Sequence, residues 1–347
     1  MGISTRTPKI SVLMPVYNAE PFLEQSIKSI LDQSFSDFQL LICDDGSTDN
    51  SYDTLLQFND DRITLYRNKI NYGIIHTTNK LFNHSEGELI TFQDADDWSE
   101  NNRLELQENA FRNDLHVMLC GVQCTYVNGK RHRRSSFPLH HAALLKSLAS
   151  NETSICCGAS VMFRTVLLAK YGGYRSFFDG IGAEHLDFFW RMIDQEKFIN
   201  LPQSLYYYRA TPNSFTRRIH NNPLKFYSTK LALLAYWQRK RTNSDFLAAP
   251  ETTHTIVEDL YLHHKQNPSL TPSITASAQL AFGYTGNFLI LLKQTVASHG
   301  LTVANLKTLI TAVPLFCLCN FAPKVLTRYL VRRSNRRFLE KHGITLP

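Results

Sequence analysis

Three carboxylates fall within four positions in Gln93-Asp94-Ala95-Asp96-Asp97-Trp98, directly after the β-rich run Glu88-Leu89-Ile90-Thr91-Phe92. A strand ending in such a cluster is electrostatically costly unless a cation or hydrogen-bond donors meet the acids. Hard oxygen ligands of this kind suit Mg²⁺ or Mn²⁺, which take one or two protein carboxylates and leave other positions for substrate phosphates. The plainer reading of a lone Asp-x-Asp is a solvated turn capping the helix expected from Glu100. The surrounding elements decide between the two.

Those elements alternate strand and helix. Residues 10–14 form a compact apolar run ended by Pro15, the pattern of a buried parallel strand. Pro21 then opens a helix on which Leu23, Ile27, Ile30 and Leu31 recur at helical spacing. A second strand, 38–43, runs into Asp44-Asp45-Gly46-Ser47-Thr48-Asp49, a third covers 63–67, and a helix over 74–83 follows the turn Asn71-Tyr72-Gly73. Such spacing predicts right-handed crossovers. Three strands therefore end in polar residues: Tyr17 and Asn18, Asp44 and Asp45, and Asp94 to Asp97. Ligands of open α/β sheets bind beyond those ends, and Asp, Asn and Gly there suit a nucleotide.

The middle of the chain is less regular. A strand is expected over 117–127, a basic turn-like insertion over 128–136, a strand over 160–163 and a helix over 165–170 broken by Gly172-Gly173. An amphipathic helix over 184–194 and a final short strand over 205–209 complete the pattern. From about residue 222, Leu, Ala and Tyr dominate helical stretches without further strand-plus-loop units. The expected organisation is an α/β domain over 1–220 with a mostly parallel sheet, followed by an α-helical region over 221–347.

At 347 residues, 43% hydrophobic and 19% charged, the chain has ample core material for one large domain with an appendage. The net charge of +7 is concentrated between Lys324 and Lys341, where seven cations oppose only Glu340. The basic balance thus describes a tail and offers no surface for nucleic acid on the body. Seven cysteines without zinc-ligand spacing read as reduced thiols of a cytoplasmic protein, with Cys156 and Cys157 as packing residues. The first apolar run is already a core strand, so no secretory leader is expected. Residues 309–322 are apolar but interrupted by Pro314 and Asn320, and are too short for a ~30 Å bilayer core. An apolar helix followed by a basic one fits the inner face of the plasma membrane, each cation contributing about 1 kcal/mol. A helix packed on the catalytic domain with a solvated basic end is the competing reading.

Four stretches carry a resemblance: Ser11-Val-Leu-Met-Pro-Val-Tyr-Asn18, Cys43-Asp-Asp-Gly-Ser-Thr-Asp-Asn50, Asn71-Tyr-Gly73 with Asn79, and Gly87-Glu-Leu-Ile-Thr-Phe-Gln-Asp-Ala-Asp-Asp97. In this order and spacing the chain resembles the family 2 glycosyltransferases, nucleotide-sugar transferases of GT-A fold. Weaker matches at Arg164, Gly172-Gly-Tyr174 and 184–191 extend the resemblance. It implies that Pro15, Val16, Tyr17 and Asp44 form the base and ribose pocket, a Tyr face and a carboxylate for an imide N–H favouring a uridine nucleotide. It places Asn18, Asp45 and Asn71 in the loops of that pocket, Asp94 and Ala95 by the ribose, and Asp96 on Mn²⁺ or Mg²⁺. It further implies inverting transfer from a UDP-sugar to a hydroxyl of a glycan or lipid-linked acceptor. The family's Glu-Asp pair at the base helix is here Glu184-His185, which makes His185 the candidate general base, with Glu184 and Asp187 as rivals.

Competing classes fit less well. Nucleotidyl transfer wants a Gly-rich basic loop near the first strand, and residues 12–18 hold neither Gly nor Lys. No Gly-x-Gly-x-x-Gly follows that strand, against a dehydrogenase. Long apolar spans and a Gln-x-x-Arg-Trp stretch are missing, against a processive synthase. A degenerate transferase that binds without catalysis finds its best argument in His185. Trp98 fits either a sugar-stacking face or a helix anchor. The run from Lys130 to Arg134 reads first as a solvated loop, with a charged acceptor as the alternative.

Overall fold

The computed structural model describes residues 7–210, 222–266 and 323–344, without the side chains of 223 and 323–331. The chain divides into two compact units: residues 1–149 with 153–211, and residues 150–152 with 212–347.

The first unit is built on strands β1 (Ile10–Val16), β2 (Phe38–Asp44), β3 (Ile63–Arg67) and β4 (Leu89–Phe92). They lie parallel in the order β3-β2-β1-β4, with helices α1 (Glu20–Leu31), α2 (Ser51–Leu55) and α3 (Ile74–Asn83) as the crossovers. Five of the seven β1 residues, Ile10, Val12, Leu13, Met14 and Val16, are buried apolar side chains, as a strand covered on both faces requires. Leu23, Ile27 and Ile30 of α1 pack on this sheet together with Leu40 and Ile42 of β2. Adjacent strand ends come together as a result: Val16 is in register with Asp44, and Leu13 with Phe92.

Beyond β4 the sheet is mixed. β5 (Trp98–Ser99), α4 (Arg103–Asn113), β6 (Val117–Asn128), β7 (Arg131–Arg134), α5 (His141–Ala149), β8 (Met162–Arg164), α6 (Val166–Tyr171), α7 (Glu184–Trp190) and β9 (Lys197–Arg209) complete the unit. The order runs β4-β8-β6-β9-β5, with β7 paired to β6. β8 is antiparallel to both β4 and β6, whereas β6 and β9 run parallel.

Two segments differ from expectation. Residues 131–134 of the supposed turn-like insertion form β7, joined to β6 by the two-residue loop Gly129-Lys130, with Asn128 opposite Arg131. Gly129 sits at φ +56°, the positive φ that the first central position of a Gly-X hairpin loop needs. β9 begins eight residues earlier than the short strand expected from Leu205. Pro202 disguised it, since proline cannot donate to a ladder; β6 skips from Leu201 to Ser204 as its partner there.

Arg103 braces the end of β4 from behind. Its fully buried guanidinium donates to Thr91 Oγ1 (3.1 Å) and to the carbonyl of Phe92 (3.1 Å). Burial lowers its pKa to about 10, and these oxygens supply the polar contacts a buried cation requires.

The second unit is helical where described: α8 (Ser228–Thr242), α9 (Pro250–Gln266) and α10 (Pro323–Lys341). The seven residues from Leu231 to Trp237 are all buried. Asn151 ties the unit together, its side chain accepting from Trp237 Nε1 (3.2 Å) and its carbonyl from Asn335 Nδ2 (3.0 Å). On α10, Phe338 and Leu339 are buried, Arg332 pairs with Glu152 and Lys341 with Asp259. The apolar stretch 309–322 lies outside the described residues. Among the described residues no helix is long and apolar enough to cross a membrane. Cys43, Cys120, Cys124, Cys156 and Cys157 are free and buried; Cys317 and Cys319 lie outside the described residues.

Candidate active site

The loops at the C-terminal ends of β1 and β2 are stitched into one rim. Asn18, at φ 50°, donates its backbone N–H to Ser47 Oγ (3.0 Å) and accepts the Thr48 N–H on Oδ1 (2.8 Å). Ala19 N–H reaches Ser51 Oγ (2.9 Å). Tyr17, just outside β1, is 45% exposed and offers an open ring face. Pro15 and Val16 belong to β1 and position that ring.

Asp44 and Asp45 have separate roles. Asp45 accepts from Asn68 Nδ2 (2.7 Å) and from the N–H groups of Tyr72 (3.0 Å) and Gly73 (2.9 Å), so it holds the 71–73 turn. Asn71 closes the same turn through Gly73 N–H (2.9 Å). Asp44 is fully buried; its Oδ1 accepts the Ser47 N–H at 3.3 Å. Its Oδ2 lies 3.3 Å from Arg67 Nε yet receives no hydrogen bond, an unused acceptor beside the rim.

Beyond β4, one carboxylate oxygen from each of Asp94, Asp96 and Asp97 gathers within 4.8 Å. The loop is anchored from two elements, α1 and β9. Asp94 N–H donates to Tyr206 Oη (3.1 Å), its carbonyl accepts from Ser26 Oγ (2.9 Å), and Asp97 Oδ1 accepts the Arg209 N–H (2.6 Å). Burial, then the charge of Asp96, pushes the Asp94 carboxyl up to about 7, while His185 pulls it down. Asp97 is also raised well above the usual carboxylate range, by burial first and then by Asp96 and Asp94. Asp97 Oδ2 is buried without a hydrogen-bond partner. Ala95, buried between these acids, keeps the loop tight.

At the N-terminus of α7, His185 Nδ1 lies 3.4 Å from Glu184 Oε1, and the His185 side chain is 34% exposed. Burial works against the Glu184 charge, yet the hydrogen bond and charge of His185 bring its carboxyl below the usual value. Gly158 makes room for the ring: a Cβ there would stand 2.2 Å from His185 Cδ2.

Asp187 is corrected. It was a rival for the base, but its carboxylate is fully buried, accepts Arg175 Nε at 2.9 Å and lies 3.3 Å from Arg191 Nε. The i,i+4 spacing to Arg191 and the reach of Arg175 make it the electrostatic anchor of α7. Asp187→Ala is expected to destabilise the fold by roughly 3 kcal/mol, because two partly buried guanidiniums lose their anion. A fall in Tm that accounts for the lost activity would check this; a native Tm with impaired catalysis would not fit.

Several neighbours were not singled out from sequence. Tyr206 and Arg209 arrive on β9, and Asp179 Oδ1 would stand 2.7 Å from a Cβ at Gly73. Trp98 stacks on Tyr207 (4.9 Å) under the Arg209 guanidinium (4.5 Å), which makes it an anchor of this corner.

The comparisons agree with this geometry. The family described as "Glycosyl transferase family 2" matches residues 11–172. The protein named as the glycosyltransferase EpsE of Bacillus subtilis is 31% identical over 243 residues, 67% of this chain and 83% of its own length. The UDP-Glc:alpha-D-GlcNAc-diphosphoundecaprenol beta-1,3-glucosyltransferase WfgD of Escherichia coli is 40% identical over 98 residues, 28% of this chain and 39% of its own. Among solved structures, S. aureus TarS 1-349 in complex with UDP-GlcNAc superposes with a TM-score of 0.57 at 19% identity, covering 96% of this chain and 91% of that 1-349 chain. The mannosyltransferase PcManGT from Pyrobaculum calidifontis, in complex with GDP-Man and Mn2+, gives 0.55 at 17%, covering 97% and 89%. The chain belongs to glycosyl transferase family 2 and is a glycosyltransferase of GT-A fold. Its relatives include enzymes of lipid-linked glycan assembly.

Proposed function

We propose that the protein transfers a sugar from a UDP-sugar to a hydroxyl of a lipid-linked or surface glycan, with inversion at the anomeric carbon. The observation that carries this reading is the convergence of Asp94, Asp96 and Asp97 within 4.8 Å at the end of a strand adjacent to the Tyr17 and Asp44 rim. A UDP-GlcNAc complex of the TarS fold supports the uridine donor.

The carboxylate cluster fits a divalent cation. Its oxygens are hard donors, Asp97 Oδ2 has no hydrogen-bond partner, and the carboxyl pKa values are raised by burial first and by mutual repulsion second. Asp96 would hold Mn²⁺ or Mg²⁺, with Asp94 and Asp97 beside it. Such an ion supplies Lewis-acid stabilisation of charge on the departing diphosphate, worth several kcal/mol.

The chain's own residues perform the remaining tasks. Tyr17 stacks on the base, and Asp44 Oδ2 accepts the uracil N–H. Glu184 takes the Nδ1 proton of His185 in a hydrogen bond, which leaves Nε2 with the lone pair that removes the acceptor proton. The hydroxyl attacks from the face opposite the diphosphate, so one displacement inverts the centre. The acceptor that WfgD's name states supports one whose sugar is carried on a lipid diphosphate. Exposed Arg333 and Arg337 on α10 support contact with anionic lipid, where such an acceptor resides.

UDP release from a panel of UDP-sugars, with Mn²⁺ and saccharide acceptors, tests the reading. Turnover of at least one donor is expected. Donor binding without turnover of any pair would instead assign a binding protein.

A further inference from the structure

We infer that the β6–β7 hairpin is the docking site for the diphosphate of the acceptor, an inference that rests on the lipid-linked acceptor proposed above. Lys130, Arg131, Arg133 and Arg134 are all exposed on this hairpin. The sequence holds no Asp or Glu between Asp114 and Glu152. Lys130, Arg131 and Arg134 have no carboxylate partner among the described residues.

The sheet connects this charge to the site. Tyr206, whose hydroxyl holds the Asp94 N–H, is followed on the same face of β9 by Tyr208. Tyr208 is in register with Tyr126 of β6, ring centroids 5.6 Å apart, and Tyr126 is in register with Arg133 of β7. The Arg133 guanidinium lies 5.2 Å over the Tyr126 ring. Arg131, two residues on, projects to the same face. One face thus runs from the carboxylate loop across two half-buried aromatic rings to the guanidiniums of Arg131 and Arg133.

The strand spacing suits an acceptor in which sugar separates hydroxyl from diphosphate. β7 stands two strand spacings from β9, about 10 Å, which one or two sugar rings span. Aromatic faces between suit sugar C–H surfaces, and guanidiniums bind diphosphate oxygens in pairs. The short Gly129-Lys130 loop keeps the cations on a paired strand, which limits the ordering cost of binding.

The experiment is calorimetric titration of a short-chain prenyl-diphosphate saccharide into the UDP-saturated protein, compared with Lys130→Glu/Arg131→Glu. Both substituted side chains are exposed, and an unchanged Tm verifies folding. The variant is expected to weaken Kd roughly 10- to 100-fold, the scale of one or two charge-assisted contacts, with steeper salt dependence in the wild type. The same saccharide as a neutral alkyl glycoside should bind both proteins equally. Equal affinity of both for the diphosphate compound overturns the proposal. So does loss of sedimentation with phosphatidylglycerol vesicles while that affinity stays intact, which would assign the hairpin to lipid headgroups. Failure of the wild type to release UDP with either acceptor counts against the transfer reading alone, since the titration decides the hairpin without turnover.

Discussion

Asp96→Ala is expected to lower kcat at least about a thousandfold and to abolish the rise in Tm that Mn²⁺ produces in the wild type. The first figure follows from a Lewis-acid contribution of several kcal/mol, with each 1.4 kcal/mol worth a factor of ten. The second follows from linkage, because an ion bound only by the folded state stabilises it. The two readouts separate a ligand from a structural residue. Asp96 repels Asp94 and Asp97, so its removal should leave the ion-free Tm unchanged or higher. A variant that melts lower without metal, or that keeps its metal-induced shift, would sink the ligand assignment.

The second large effect belongs to His185. Replacing it with Ala should lower kcat by roughly 10²- to 10⁴-fold, the usual contribution of a positioned base. UDP affinity should scarcely move, since the imidazole sits on α7 and the nucleotide rim is made by the β1 and β2 loops. Tm should also hold, because the side chain is one-third exposed and its polar partner among the described residues is Glu184. His185→Asp should recover part of the lost rate, as a carboxylate at this position can still accept a proton. If His185→Ala instead weakens UDP binding and leaves kcat intact, the residue lines the donor site and the base lies elsewhere.

The parallel half of the sheet was legible because each strand there is local. Residues 10–14 and 38–43 are continuous apolar runs bounded by turn residues, and the first is followed by a helix of regular period. Their polar ends carried the rim, including Tyr17, Asn18, Asp44 and Asp45. The mixed half was legible only in part. Tyr206 and Arg209 reach the carboxylate loop from more than a hundred positions away, through an antiparallel and a parallel pairing that no local pattern encodes. Pro202 hid the first half of β9, while the Gly129-Lys130 pair was a hairpin signal masked by the basic residues after it. Asp187 misled for another reason. Its place on α7 suits a base, and only the folded chain shows Arg175 and Arg191 closing on it.

The bare backbone of Gly158 has an evolutionary consequence. A methyl group there and an imidazole at position 185 would claim the same volume, with the shortest separation 2.2 Å. Descendants that shorten residue 185 to a carboxylate would free that space and release residue 158 from being glycine. The two sites should therefore drift as a couple, the smaller partner at one licensing bulk at the other.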